Sequence, residues 1–321
     1  MKEKLIYILL FLFMFPVFSY ACDLCGCFIP KDTGPRGFLF GVAEQFSSLS
    51  DLSLDGKTLV NEDNQYMNSS YTQLFANYHF NEKTALQLNI PLIYRSFRRI
   101  QEGAVQTGSE SGIGDVLLVG YYVPFQRSTP FQQFQWKVLA GLKFPTGNSD
   151  RIAEELNEGH DSENARIAHE EEASAVHGHD LALGSGSWDG LIGTNISGRV
   201  HKWFYNATVQ YAIRTRGDFD YKYANDFLWY GGPGYYVSAS SDWPVGFQLL
   251  FAGEHKGNDE LGSVKTDDTA ITSAYLEPTA SIGLKQMGTA EIGVGIPLVI
   301  HNSGLQTVPK YRVRIGFTWR M

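Results

Sequence analysis

The residues with the clearest capacity for chemistry are three cysteines near the start of the chain. Cys22, Cys25 and Cys27 form a C-x-x-C-G-C cluster that contains all cysteines of the sequence. Thiolates at this spacing can share Cu(I) or Zn(II) with a fourth ligand from elsewhere. Two of them can instead form a strained disulfide in an oxidising compartment, and Cys22 can be a lipidated first residue. These three interpretations remain open, whereas Gly26 stands where c-type haem attachment needs histidine.

A second candidate metal site lies in an acidic stretch from Glu154 to Asp180. This stretch has nine Asp or Glu residues and four histidines: His160, His169, His177 and His179. Neutral imidazoles beside carboxylates bind Zn(II), Cu(II) or Ni(II), and His177-x-His179 is a local chelate. The alternative is a solvated acidic loop with a short helix across residues 163–175. A transition metal is therefore the one cofactor that the sequence suggests.

Nine further charged residues fall on the polar phase of alternating segments. They are Lys137, Lys143, Asp189, Arg214, Glu254, Glu277, Arg312, Arg314 and Arg320. If these segments are strands around a pore, the charges line its lumen and orient polar solutes. The alternative is that they pair and brace the interior, and both interpretations stay open at this point.

The alternation is clearest at the C-terminus. Tyr311, Val313, Ile315, Phe317, Trp319 and Met321 project to one side of a strand, and Arg312, Arg314 and Arg320 project to the other. Lipid outside and water inside produce this division.

The same period of two recurs in twelve segments and predicts the fold. The predicted strands are 37–46, 70–80, 84–95, 113–125, 134–144, 187–199, 202–214, 227–240, 245–255, 271–284, 288–300 and 308–321. Short links follow the even strands and mostly longer links follow the odd ones, as in outer-membrane barrels with short periplasmic turns. We therefore predict an all-β, transmembrane, antiparallel up-and-down barrel of about 12 strands. A soluble two-sheet protein is the competing architecture, but its outward faces would be polar.

A few residues depart from this pattern. Glu44 falls on the apolar phase, Pro91 and Pro278 interrupt two strands, and the eighth strand is glycine-rich around 231–234.

The N-terminus predicts export. Lys2 and Lys4 precede an apolar stretch that ends at small residues, so residues 1–21 are expected to be a cleaved signal peptide. Residues 22–36 follow as a cysteine-containing periplasmic segment, and residues 37–321 form the barrel with a His- and acid-rich extracellular loop at about 148–184. No later apolar run reaches about 18 residues, so any membrane crossing requires a closed barrel.

Three motifs carry a resemblance to a known family. They are the G-I-G-D run that ends at Asp115, L-K-F-P-T-G over 142–147, and G-S-G-S-W-D over 184–189. Across about residues 110–321 the chain resembles the outer-membrane transporters grouped with the meta-pathway phenol-degradation proteins. The resemblance implies a channel or uptake barrel without catalytic residues.

These observations predict a non-enzymatic protein of the cell outer membrane that passes a small solute, either an aromatic or apolar compound or a metal ion. The alternatives are a barrel that captures or senses metal and, further away, an outer-membrane lipid hydrolase. The expected partners are outer-membrane lipid, the solute, and the barrel-assembly machinery implied by the C-terminal strand. The net charge of −8 argues against nucleic acid.

Overall fold

Twelve long antiparallel strands form a closed barrel in the computed structural model, which describes residues 37–101, 103–154, 174–238, 242–285 and 287–321. The wall consists of β1 (Gly37–Leu54), β3 (Tyr66–His79), β4 (Thr84–Gln101), β6 (Leu117–Ser128), β7 (Gln132–Lys143), β8 (Asp189–Val200), β9 (Trp203–Ile213), β11 (Asp226–Tyr236), β12 (Val245–Lys256), β15 (Ile271–Leu284), β16 (Gly288–Asn302) and β17 (Leu305–Arg320). The predicted fold class and strand number are confirmed.

The remaining elements lie in the links between the wall strands. They are β2 (Lys57–Leu59), β5 (Ala104–Ile113), β10 (Tyr221–Lys222), β13 (Glu260–Leu261), β14 (Val264–Lys265), a helix over Gly178–Leu181 and 3-10 turns over Asp150–Glu154 and Asp218–Asp220. Within the described residues, no helix has the length and hydrophobicity needed to cross a bilayer.

The barrel closes between its first and last strands. β1 pairs with β3 on one side and with β17 on the other, in a register that runs from Leu39 opposite Arg320 to Leu54 opposite Leu305. This pairing supplies partners for backbone groups that would otherwise face hydrocarbon.

The two faces of the wall differ as the alternation predicts. Along β9, exposed and buried residues alternate without interruption from Trp203 to Ile213. The exposed set includes Trp203, Tyr205 and Tyr211, and the buried set includes Gln210. On β17, Ile315, Phe317 and Trp319 are exposed, as are Tyr311 and Met321 beside them. The outer surface is therefore apolar and aromatic.

The largest difference from the predicted strands is β5, which the prediction did not contain. Residue 113, predicted as the start of the fourth wall strand, is the last residue of β5, and the wall strand begins at Leu117. β5 pairs with residues 92–101 of β4 and extends the sheet beyond the barrel. Its residues are mostly exposed on both faces, so it has no apolar alternation to detect.

The last extracellular link is also shorter than predicted. β16 extends to Asn302 and β17 begins at Leu305, which leaves Ser303 and Gly304 as a tight turn. Gly304 has a φ of +63°, a conformation that glycine adopts without steric cost.

Each departure from the pattern has a local explanation. Pro91 lies where β4 changes partner, because β6 pairs with β4 as far as Asn89 and β5 takes over at Leu92. Pro278 lies where the pairing of β15 with β16 is interrupted, between Leu276 and Thr279. A proline without an N–H group fits such gaps. The Glu44 carboxylate accepts hydrogen bonds from Ser70 and Thr72 on the neighbouring strand.

The glycine-rich segment of β11 is needed for close strand contact. A Cβ atom on Gly232 would lie 1.9 Å from the carbonyl oxygen of Leu249 on β12. At Gly190 on β8, the nearest atom would be 3.7 Å away.

We predict that Gly232→Ala lowers the stability of the barrel by about 1–3 kcal/mol, because the added methyl group overlaps the next strand. Gly190→Ala is the matched control and is expected to leave stability unchanged. Thermal unfolding followed by circular dichroism measures both, and equal unfolding temperatures would contradict the steric explanation.

Candidate functional site in the barrel lumen

The mouth of the barrel at its predicted extracellular end is occupied by the end of the long loop between β7 and β8. We call residues 174–187 the strap. Val176 and Leu181 are fully buried and pack against Leu49, Met67 and Phe97 of the wall. Ala175 and Ala182 are also buried. This apolar contact holds the strap inside the mouth and narrows the lumen.

Hydrogen bonds from the wall fix the strap at several points. The guanidinium group of Arg95 on β4 donates to the carbonyl oxygen of Ala182 at 2.8 Å and to that of Asp180. The N–H of Thr307 donates to the carbonyl oxygen of Ala175 at 2.9 Å. The hydroxyl of Tyr223 donates to the carbonyl oxygen of His179 at 3.0 Å. Since Arg95 is only 1% exposed, the bonds to the strap carbonyls stabilise a deeply buried cation.

His177 and His179 lie at the start of the short helix in the strap. Their rings are nearly parallel, with centroids 5.6 Å apart. His177 Nε2 is 3.5 Å from Asp268 Oδ2, and His179 Nε2 is 3.3 Å from Asp180 Oδ1. Each ring thus faces a different carboxylate.

The metal predictions remain predictions. Within the part of the chain that the structure describes, no three His, Cys, Asp or Glu side chains are grouped to hold a metal ion. Several predicted features lie outside that part. They are Cys22, Cys25, Cys27, His160, His169, the signal peptide, and the loop helix except for its residues 174 and 175.

A ladder of alternating charges connects the strap to the inner wall. We use the name charge ladder for Asp115, Lys143, Asp189, Arg214 and Asp226. Lys143 Nζ lies 2.7 Å from a carboxylate oxygen of each of the first two aspartates, Asp115 and Asp189. Arg214 bridges Asp189 at 3.0 Å and Asp226 at 2.6 Å. These residues come from strands β7, β8 and β11 and from the links beside β6 and β9. The charge ladder therefore connects neighbouring strands on one side of the barrel.

The three family-like motifs meet at this ladder. The carboxylate of Asp115 accepts hydrogen bonds from the N–H groups of Gly147 and Ser185, at 2.9 and 3.0 Å. The backbones of Gly147 and Gly184 touch, because a Cβ atom on Gly147 would lie 2.8 Å from Gly184 and one on Gly184 would lie 2.6 Å from Gly147. The motifs therefore form the junction between strap and wall.

Most of the other predicted lumen residues lie on β12, β15 and β17, whereas Lys137 lies on β7 with Lys143. Arg314 on β17 pairs with Glu277 on β15 at 2.5 Å. The guanidinium carbon of Arg312 lies 3.3 Å from the centre of the Tyr275 ring. Lys137 and Glu254 are buried, and Arg320 is half-buried at the periplasmic end of β17. The interior thus has charged groups on two sides.

Sequence reasoning did not single out three residues that hold this arrangement together. Arg95 is the last residue of the predicted third strand and lies on its polar phase. Asp115 belongs to a motif that was noted only for its resemblance, and Asp226 immediately precedes a predicted strand. Only their three-dimensional partners identify them.

A cavity of about 110 Å³ lies between the strap and the inner wall. Residues 182–185 of the strap border it, together with Ile93, Leu117 and Leu191 and with the charge ladder. A second cavity of about 60 Å³ on the other side of the strap shares Tyr223 and Lys256 with the first. The lumen is therefore divided, with apolar and charged surfaces facing the same space.

Comparison with solved structures finds similar barrels. An outer membrane channel from Pseudomonas putida F1 superposes with a TM-score of 0.63 at 14% identity, over 92% of this chain and 100% of that one. The β domain of the Bordetella autotransporter BrkA covers 89% of this chain and 100% of its own, at 10% identity and a TM-score of 0.45. No family model matches the sequence, and neither does any curated protein. The barrel fold and its apolar outer surface place the protein in the outer membrane.

We predict that Asp189→Asn destabilises the barrel by about 1.5–3 kcal/mol, because it removes the charge that two mostly buried cations share. Asp242→Asn makes the same change at an exposed periplasmic turn and is expected to have no effect. Chemical denaturation of the two variants measures the difference, and similar midpoints would show that the ladder contributes little.

The strap should also respond to acid. Burial favours the neutral form of Asp180, but His179, His177 and the N–H of His177 outweigh it and lower the pKa of this carboxyl group. Because the pKa of Asp180 is lower in the docked strap than its ordinary value of 3.8, the ionised carboxylate stabilises docking at pH values above 3.8. This contribution disappears as the pH falls through the lowered pKa.

We therefore expect the hydrogen-exchange protection of strap amides, corrected for intrinsic exchange rates, to fall as the pH drops below about 4. Asp180→Asn should remove this fall. Protection that is independent of pH in the wild-type protein would contradict a role of Asp180 in docking.

Proposed function

We propose that this protein is an outer-membrane channel for a small solute and that the strap closes its mouth in the conformation described. The observation that carries the proposal is the position of the strap: it lies inside a closed barrel, with cavities between itself and a polar inner wall. A barrel that only anchors a loop at the surface needs no such space. The neighbouring structure from Pseudomonas putida, itself a channel, supports the same role.

The lining of the larger cavity favours an amphipathic solute. Ile93, Leu117 and Leu191 give it an apolar side, while Lys143 and Arg214 of the charge ladder border it elsewhere. An aromatic compound with a polar substituent fits this combination. The resemblance to the phenol-degradation transporters agrees with this solute class. A metal ion is the alternative solute, and of the residues that suggested it the described His177 and His179 face different carboxylates.

The strap has the properties of a gate. It adds no strand to the barrel wall, so it can leave the lumen without breaking the barrel. Its attachment depends on a small apolar cluster and on separate hydrogen bonds, of which Arg95 provides two. Loss of these bonds favours an open mouth.

We predict that Arg95→Ala raises the open-to-closed ratio about tenfold or more, because hydrogen bonds from a charged donor are each worth about 1.5–3 kcal/mol. Single-channel recording in planar bilayers measures this ratio. Arg127→Ala removes an arginine that is exposed near the periplasmic end of β6, and it should behave like the wild type.

Two results would contradict the proposal. A wild-type protein and an Arg95→Ala protein that are both folded and both without conductance would exclude a channel. Equal open-to-closed ratios in wild type and Arg95→Ala would leave a channel without this gate.

A further inference from the structure

The periplasmic half of the lumen contains a group of neutral side chains on β3 and β4. We call Gln73, Asn77, Gln87 and Asn89 the amide cluster. They project inward from β3 and β4 and are buried, with exposures between 0% and 3%. A lumen filled at this level by its own side chains is narrow here as well as at the mouth.

The amide cluster is a connected hydrogen-bond network. Gln73 Nε2 and Gln87 Nε2 both donate to Asn89 Oδ1 at 2.5 Å. Asn77 Nδ2 donates to Gln87 Oε1 at 3.2 Å, and the hydroxyl of Tyr121 on β6 donates to the same oxygen at 3.1 Å. The Oδ1 atom of Asn77 is buried without a hydrogen-bond partner among the described residues. The network therefore has a spare acceptor.

The opposite side of the barrel has further buried amide and hydroxyl side chains, beside the buried Lys137. Gln248 on β12 donates to Asn206 Oδ1 on β9, and Asn195 on β8 donates to Thr208 Oγ1 at 2.7 Å. All four side chains are buried. The lower lumen thus offers amide and hydroxyl groups from two sides.

The amide cluster and the strap lie in series. β4 runs from the periplasmic turn towards the mouth, and Asn89 precedes Arg95 by six residues, which is about 20 Å along a strand. Gln73 and Asn89 border the same cavity as strap residues 182–185. A solute that leaves this cavity towards the periplasm therefore meets the amide cluster next.

Amide groups both donate and accept hydrogen bonds, so they can exchange a bond with each other for a bond with a solute. When a solute separates two side chains of the amide cluster, a hydroxyl or amide group on the solute can replace the hydrogen bond that is broken. A solute without such groups leaves buried amides unpaired, which costs free energy.

From this we infer that the amide cluster is a second constriction that favours solutes with hydroxyl or amide groups. The inference rests on the proposed channel function and adds a solute preference to it. The strap controls access to the lumen, and the amide cluster selects among the molecules that have entered.

The test measures two quantities in wild type and in Gln87→Leu. They are the entry of erythritol, an uncharged polyol, and the ionic current. Leucine has a similar volume to glutamine but makes no side-chain hydrogen bonds. We expect erythritol entry into proteoliposomes, measured by swelling, to fall roughly 2- to 10-fold, while conductance in planar bilayers stays near the wild-type value. Gln132→Leu, at the exposed first residue of β7, is the matched control and should leave both unchanged.

A second variant keeps the test informative if Gln87→Leu does not fold. Asn89→Ala removes the shared acceptor and widens the lumen, so the ratio of erythritol entry to ionic conductance should fall in it too. Heat-dependent gel mobility reports folding of each variant.

Unchanged erythritol entry in folded Gln87→Leu would overturn the inference, as would an equal fall in erythritol entry and conductance, which indicates simple blockage. In either case, normal conductance of the wild-type protein would leave the channel function standing. A wild-type protein without conductance and without swelling would instead overturn both.

Discussion

The structure depends on one constraint: backbone N–H and C=O groups in hydrocarbon need partners within the protein. Twelve strands satisfy this constraint only because β1 pairs with β17 as well as with β3. Closure in turn divides the side chains of every strand into an outer and an inner set, and the outer set is apolar and aromatic. The inner set is then free to be polar, and the charge ladder lies there.

A polar interior raises a second problem, because charges buried inside a narrow barrel need compensation. The charge ladder solves it on one side through Lys143 and Arg214, each of which contacts two aspartates. On the other side, Arg314 pairs with Glu277, and Arg312 stacks on Tyr275. The remaining space is divided by the strap, whose buried backbone is paired with wall side chains such as Arg95. Wall, ladder and strap thus stabilise one another.

Alternation made the barrel predictable from sequence. A period of two reports directly which side chains face lipid, so the strand number and the two faces of β9 and β17 followed from residue types alone. β5 was not predicted because both of its faces are exposed to solvent. The course of the strap was not predicted because most of its length is neither helix nor strand. The partners of Asp115, Asp226 and Arg95 depend on which strands are neighbours and on where a loop folds back. Local pattern does not contain that information.

The charge ladder has a consequence for the history of the protein. Its first and last residues are more than a hundred positions apart in the chain, yet each of the five carries a charge that another balances. A lineage that loses Asp189 leaves two cations undercompensated, and recovery requires replacement of Lys143 or Arg214 in turn. These positions are therefore expected to change together across descendants, so that the three motifs are inherited as a single unit.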